Sequence, residues 1–167
     1  DISLLIKQKV DLIFIPDKKD MYPEDFSTYI NLKKFSDILC GKKRKRHFSG
    51  VATVVLKLFS LIRPNLAFFG EKDYQQLVII KKLVKDLNLN IKIHCIKTVR
   101  DQNGLALSSR NNLLTEKEKL RASNIYLILK EIAKNGLEDY ESELVKIKKR
   151  LRNLRIGNIE YLEIRDE

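Results

Sequence analysis

Apolar residues first cluster at Leu12-Ile13-Phe14-Ile15, a short continuous run closed by Pro16-Asp17. Such a run predicts a strand buried on both faces, as in a parallel sheet. Phe26 to Asn31 alternates and is rich in β-formers, which predicts a second, more exposed strand. Lys33 to Leu39 predicts a short helix stopped by Gly41. Val51 to Ile62 is apolar on nearly all sides and predicts a buried helix. Beyond Pro64, Leu66-Ala67-Phe68-Phe69 predicts a buried strand. Leu77, Ile80, Val84 and Leu87 share one face of the helix that follows, and Ile91 to Ile96 predicts another strand. Strands alternating with helices argue for an α/β fold, a parallel sheet with crossover helices.

The pattern changes near Lys97. Residues 98–114 read as a polar loop. Thr115 with Glu118 forms a capping box that opens a helix. Its apolar positions include Ile125, Ile128, Leu129 and Ile132, and Gly136 is expected to end it. Leu144, Ile147, Leu151 and Leu154 mark a second helix, and Ile159 to Ile164 predicts a last strand. A domain boundary is therefore expected between residues 96 and 97. The chain opens at Asp1 in helix-like text and stops at Glu167 just after a predicted strand. An absent N-terminal portion and a truncated C-terminal domain are the expectation, and with them exposed sheet edge, exposed apolar surface and poor solubility for the chain alone.

Composition narrows the class. With 167 residues, 44% hydrophobic and 33% charged, the chain reads as globular, not disordered. The most apolar stretch, Val51 to Ile62, contains Lys57 and falls short of the roughly 20 residues a membrane span needs. Cys40 and Cys95 lack metal-type spacing and read as free thiols of a reducing, cytoplasmic compartment. The formal net charge of +11 suits a nucleic acid, an anionic membrane or an acidic small substrate. Most lysines are spread along solvated helix faces; the exception is the run Lys42-Lys43-Arg44-Lys45-Arg46-His47.

Two segments carry candidate chemistry. Gly70-Glu71-Lys72-Asp73 follows a predicted buried strand and opens a helix. Open α/β sheets bind ligands at this carboxyl end of a strand. A glycine admits close approach to the backbone, a helix N-terminus favours anions, Lys72 can meet a phosphate, and Asp73 can accept from ribose hydroxyls. The competing reading is a charged turn in which Asp73 only caps the helix. The second segment is Gly104-Leu105-Ala106-Leu107-Ser108-Ser109-Arg110-Asn111. Two hydroxyls followed by a guanidinium suit the β- and γ-phosphates of a nucleotide. The competing reading is a surface loop with serines in local turns.

Taken together and in this order, these segments resemble the pantothenate synthetase (pantoate–β-alanine ligase) family. The matching text is Phe69-Gly70-Glu71-Lys72-Asp73-Tyr74-Gln75-Gln76-Leu77, then Arg100-Asp101 with Gly104 to Asn111, and His47-Phe48 with Gly50 to Val55 and Lys57-Leu58-Phe59. The resemblance implies the C-terminal part of a Rossmann-like nucleotidyltransferase domain over residues 1–96. A small α+β lid domain would occupy residues 97–167. It implies ATP and Mg²⁺, pantoate and β-alanine as small-molecule substrates, a pantoyl-adenylate intermediate, a homodimer, and neither nucleic acid nor membrane as partner.

Carried over by position, Gly70, Glu71, Lys72 and Asp73 hold the ribose and α-phosphate, with Lys72 the catalytic contact to the reacting phosphate. Val99 meets the adenine through its backbone. Leu107, Ser108, Ser109 and Arg110 close over the triphosphate. Gln76 binds pantoate. Val51, Val54 and Val55 line its methyl groups or, equally, belong to the helix core. Gln75 is expected to face solvent, and His94 to be structural. Metal ligands are not identified.

The family's His-x-Gly-His motif and its first pantoate-binding Gln have no counterpart here. The family's Arg-Pro-Gly-His-Phe stands as Arg44-Lys45-Arg46-His47-Phe48, which changes the backbone options of that loop. Two other readings compete, one from the incomplete site and one from the basic run Lys42 to Arg46 and the net charge of +11. One is an inactive remnant. The other is a basic RNA-binding module, although no aromatic stacking platform accompanies the basic run.

Overall fold

The computed structural model describes residues 2–135, 140–155 and 157–165. Two short helices, α1 (Ile2–Lys7) and α2 (Lys18–Met21), precede an extended and turning segment, and α3 (Cys40–Lys43) leads into α4 (His47–Ile62). Strand β1 (Leu66–Gly70), a 3-10 turn (Glu71–Asp73), helix α5 (Tyr74–Asp86) and strand β2 (Lys92–Ile96) follow. A second 3-10 turn (Ser109–Leu113) precedes α6 (Glu116–Asn135) and α7 (Tyr140–Asn153).

The α/β reading holds at the centre. β1 and β2 pair in parallel, with Leu66 opposite Lys92 and Gly70 opposite Ile96, and α5 is the crossover between them. α5 buries Leu77, Ile79, Ile80 and Leu83. Ile79 packs with Phe48 and Ala52 of α4, and Ile30, Leu32, Phe35 and Cys40 close over that cluster. Phe59 of α4 meets Phe69 of β1 edge to face at 6.3 Å. Lys57, the one charge in the apolar stretch, sits 4.5 Å from the ring centroid of Phe26, so its burial is offset by a cation–π contact.

Several expectations are corrected. Leu12 to Ile15 is not a buried strand: it has no ladder, and Leu12 is 80% exposed. An isolated run cannot satisfy its backbone groups as a strand, because the partners must come from another segment. Phe26 to Asn31 takes no regular secondary structure and pairs with no described strand; Ile30 N–H instead donates to Thr53 Oγ1 of α4 at 2.9 Å. Lys33 to Leu39 forms turns, not a helix, since Lys34 (φ 76°) and Leu39 (φ 48°) take left-handed conformations incompatible with a continuous helix. Gly41 stops nothing. It lies within α3, where an added Cβ would come 1.9 Å from Ser36 O.

The helix predicted from Val51 starts at His47, and its last turn is open, with Leu61 and Ile62 exposed. β1 is half-buried; Phe68 is 60% exposed because no third strand or covering helix lies on that side among the described residues. Leu87, expected on the buried face of α5, lies just past its end and is exposed.

The C-terminal helices form as read, and the capping box is reciprocal. Thr115 N–H donates to Glu118 Oε2 at 2.8 Å, and Glu118 N–H donates to Thr115 Oγ1 at 3.3 Å. Ile128, Ile132 and Ile147 make a second small core with Leu144, Leu151, Leu154 and Leu162, while Ile125 and Leu129 stay on the surface. Gly136 lies outside the described residues. Residues 159–164 carry no regular secondary structure and pair with no described strand, so the expected last strand does not form among the described residues. No described helix is long and apolar enough to cross a membrane.

Candidate active site

The Gly70–Asp73 turn emerges at the carboxyl end of β1 and feeds directly into α5. Gly70 has ordinary extended dihedrals, φ −77° and ψ 140°, and a Cβ there would meet nothing within 4 Å. Its own fold therefore does not require glycine; the bare backbone faces open space, which suits close approach by a ligand. Asp73 makes no side-chain capping bond to α5. The purely structural reading of this aspartate loses its support, and its carboxylate is available to a partner.

Lys72 joins the two candidate segments. Its Nζ donates to Leu107 O at 3.0 Å, across 35 residues of sequence. The second loop is built to receive it. Leu107 N–H donates to Val99 O at 2.9 Å, and Arg100 and Ala106 form an antiparallel bridge. Asp101 Oδ1 accepts from the N–H groups of Asn103 and Leu105, both at 2.9 Å, and Gly104 takes the left-handed φ of 92° that this tight turn needs. Arg100 donates to Gly104 O and lies 3.5 Å from the Tyr126 ring centroid, fastening the loop to α6. Ser108 Oγ accepts from Arg110 N–H at 3.2 Å, so this hydroxyl is engaged in a local turn. Ser109 and Arg110 are at least partly exposed beside it.

Lys72, Asp73 and Gln76 line one cavity of about 540 Å³. Arg44 and His47, from the altered loop, reach the same cavity, and so do Tyr161, Glu163 and Arg165. Sequence reasoning left the last three unassigned, because their approach depends on how residues 157–165 return over the α/β unit. Leu107, Ser108 and Ser109 border a separate shallow depression with Asn111 and Lys119. Val51, Val54 and Val55 are partly buried along α4 and do not line the Lys72–Gln76 cavity. Val99 is 62% exposed, with its carbonyl already engaged by Leu107. His94 stands in β2 with its ring 5.5 Å from that of Phe68, a packing position.

Gln75 does not face solvent. Its Nε2 donates to Phe35 O and Ile38 O, both at 2.8 Å, and its Oε1 accepts from Cys40 N–H at 3.1 Å. Cys40 Sγ lies 2.6 Å from Tyr161 Oη. Burial and then the Cys40 contact push the Tyr161 phenol up to about 12. Lys42 to Arg46 are exposed, and of them Arg44 lines the cavity, with His47 beside it.

Comparison with known proteins identifies the family. The model of the Pantoate-beta-alanine ligase family matches residues 1–167. A pantothenate synthetase of Caldicellulosiruptor saccharolyticus is 46% identical over 167 residues, which is 98% of this chain and 59% of that protein. A pantothenate synthetase structure from Thermus thermophilus superposes with a TM-score of 0.82 at 39% identity, covering 92% of this chain and 56% of that one. The Francisella tularensis pantoate-beta-alanine ligase, solved in complex with beta-gamma ATP and beta-alanine, superposes with a TM-score of 0.77 at 40% identity, over 92% of this chain and 57% of its own. The chain thus spans about three fifths of the relatives' length. A strand-end Gly-Glu-Lys-Asp turn tied by its lysine to a Ser-Ser-Arg loop, and a family model that matches from the first residue to the last, lead to one conclusion: the chain belongs to the Pantoate-beta-alanine ligase family.

Proposed function

We propose that this chain supplies the acyl-activating part of a pantoate–β-alanine ligase. The observation that carries the reading is the 3.0 Å bond from Lys72 to Leu107 O, which sets the Gly70–Asp73 turn against the serine–arginine loop. In the first step a pantoate carboxylate oxygen attacks the α-phosphorus of ATP. The bond to pyrophosphate breaks, and pantoyl-adenylate forms. The β-alanine amine then attacks the acyl carbon, the acyl–phosphate bond breaks, and AMP leaves. Converting the carboxylate oxygen into part of AMP makes a good leaving group of a poor one.

Lys72 offsets charge developing at the α-phosphate, Gly70 and Glu71 accept the nucleotide at the backbone, and Asp73 takes ribose hydroxyls. Ser108, Ser109 and Arg110 close on the outer phosphates, with Arg110 giving a forked contact. Val99 borders the adenine. Gln76 hydrogen-bonds pantoate, and the valines of α4 face its methyls once the rest of the enzyme is in place. Mg²⁺ enters with the ATP phosphates, a mode of binding that takes one or two carboxylates rather than a dedicated cage. Residues 1–96 act as the nucleotidyltransferase unit and residues 97–167 as the lid, in a homodimeric cytoplasmic enzyme.

The test is pantoate-dependent ATP–pyrophosphate exchange, measured on this chain alone and on a polypeptide completed with the remaining part of a pantothenate synthetase. Exchange by the completed protein, lost on Lys72→Ala, is the expected result. Loss of one such electrostatic contact typically costs ~100- to 1000-fold in rate. Absence of exchange in the completed protein would overturn the reading and favour the inactive remnant or the RNA-binding module. Exchange by the chain alone would show that the His-x-Gly-His motif is dispensable.

A further inference from the structure

We propose that Gln75 is a positioning residue: its side-chain amide splints the Phe35–Cys40 loop as the wall of the cavity lined by Lys72 and Gln76. The consequence for catalysis rests on the function proposed above; the splint itself does not.

A primary amide offers two N–H donors and one carbonyl acceptor. In Gln75 both donors are engaged, by Phe35 O and Ile38 O at 2.8 Å each, and the carbonyl accepts Cys40 N–H at 3.1 Å. All three partners are main-chain atoms of one loop, and none belongs to α5, where Gln75 itself sits. The side chain therefore does for this loop what a helix or a sheet ladder would otherwise do.

The loop needs that help. It is neither helix nor strand up to Leu39, which holds a left-handed φ of 48°, and Ser36 Oγ is buried without a hydrogen-bond partner. A non-glycine residue in that conformation persists only where its surroundings over-determine it. Gly41 closes on Ser36 so tightly that no Cβ fits.

The position of the splint matters for chemistry. Phe35, Ile38, Leu39 and Cys40 line the same cavity as Lys72 and Gln76. The start of α5 thus presents a ligand-facing group and, from the neighbouring residue, fixes the wall that confronts it. The effect extends one step further. Cys40, whose N–H Gln75 holds, places its Sγ 2.6 Å from Tyr161 Oη, and the segment carrying Tyr161 brings Glu163 and Arg165 to the cavity.

Displacement of a wall by about 1 Å can cost ~100-fold in reactivity, whereas a purely structural residue lowers stability without selecting a substrate. The experiment compares Gln75→Ala and Gln75→Glu in the complete enzyme polypeptide containing this sequence. Gln75→Glu keeps side-chain length and volume but sets an oxygen against two carbonyl oxygens. Both variants are expected to raise KM for pantoate by about 10- to 100-fold, with KM for ATP changed far less. In Gln75→Ala the Cys40 amide, left without its acceptor, is expected to lose its protection from hydrogen exchange.

Wild-type KM for pantoate in both variants would overturn the catalytic part of the proposal. A Cys40 amide still protected in Gln75→Ala, which removes its acceptor, would overturn the splint itself, whether or not the protein is active. Failure of the wild-type protein to use pantoate would instead count against the proposed function, and leave the exchange measurement to decide on the splint. Tyr161→Phe, a change outside the central core, provides a further variant. Loss of one hydrogen bond there is expected to raise the same KM by about twofold to tenfold, and an unchanged KM would overturn the link from Cys40 to residues 161–165.

Discussion

Leu12-Ile13-Phe14-Ile15 and Leu66-Ala67-Phe68-Phe69 are similar text, and they fold differently. Each is a four-residue apolar run before a turn. The second pairs with Lys92–Ile96 in parallel and ends at the Gly70–Asp73 turn. The first has no ladder and leaves Leu12, Phe14 and Ile15 exposed. Side chains do not explain the contrast. For β1, a helix of suitable length brings the next strand back alongside, so the crossover supplies the partner from nearby in the chain. For Leu12–Ile15, no described segment returns to either edge. Strand propensity is a readiness to pair, and pairing is decided elsewhere in the chain.

The sharpest way to test that contrast is to truncate one core position and one position in the unpaired run. Leu77, 1% exposed on α5, is expected to cost about 2–5 kcal/mol on change to Ala. Leu12→Ala is expected to stay within about 0.5 kcal/mol. Denaturant unfolding of both variants measures the gap, and equal losses would mean that residues 12–15 are packed after all. The same contrast predicts rapid hydrogen exchange at Ile13 to Ile15, becoming slow when the remaining part of a pantothenate synthetase completes the polypeptide. The exposed apolar surface also predicts concentration-dependent self-association of the chain alone, readable by light scattering.

A smaller effect concerns the segment between the two runs. Gly41→Ala forces a Cβ to within 1.9 Å of Ser36 O, a main-chain atom that cannot swing aside. Destabilisation of ~1–3 kcal/mol or more is expected, with the loss confined to residues 34–41 if that loop yields independently of α5.

Thr115→Ala removes one half of the capping box, worth ~0.5–2 kcal/mol, and should fray the first turn of α6 without touching the β1–β2 pair. Glu118 has its carboxyl held below the usual range by the Thr115 N–H bond, then by the Thr115 hydroxyl. A depressed pKa in the folded state stabilises above the unfolded value, so this contribution fades as pH falls through the folded pKa. Thermal melts of the wild type and of Glu118→Gln, taken from neutral to acidic pH, should converge there.

The smallest and most local effect is alkaline. Tyr161 titrates at about 12 in the folded protein against an ordinary 10.0. Between these values the unfolded chain has released the proton and the folded one keeps it. Stability is therefore fully present below about pH 10 and declines as pH rises to about 12. Tyr161→Phe should flatten that decline, and tyrosinate absorbance should report the late titration.

The C-terminal helices, α5 and the reciprocal capping box were all legible, because helix signals are local: a cap, a 3.6-residue period and a stop lie within one stretch of chain. The Gly70–Asp73 turn between a strand and a helix was legible as well. Other features were not. Lys33 to Leu39 has helix-like apolar spacing, yet left-handed turns at Lys34 and Leu39 break it, and the loop is held from outside by Gln75. Phe26 to Asn31 alternates like a strand, but its Ile30 N–H finds a threonine hydroxyl. Gln75 sits beside Gln76 with the same composition around it, and only the path of residues 35–40 gives Gln75 three main-chain partners.

The α/β order at the centre of the chain, the pair of helices that follows and the family were all written in the amino-acid text. Long-range folding alone settled that Lys72 reaches Leu107, that Tyr161, Glu163 and Arg165 return to the Lys72–Gln76 cavity, and that one apolar run pairs while its counterpart does not. The reason is range. Backbone propensity and capping act over a few residues, whereas a strand's ladder, a cavity's wall and a lysine's partner are set by segments tens of residues away.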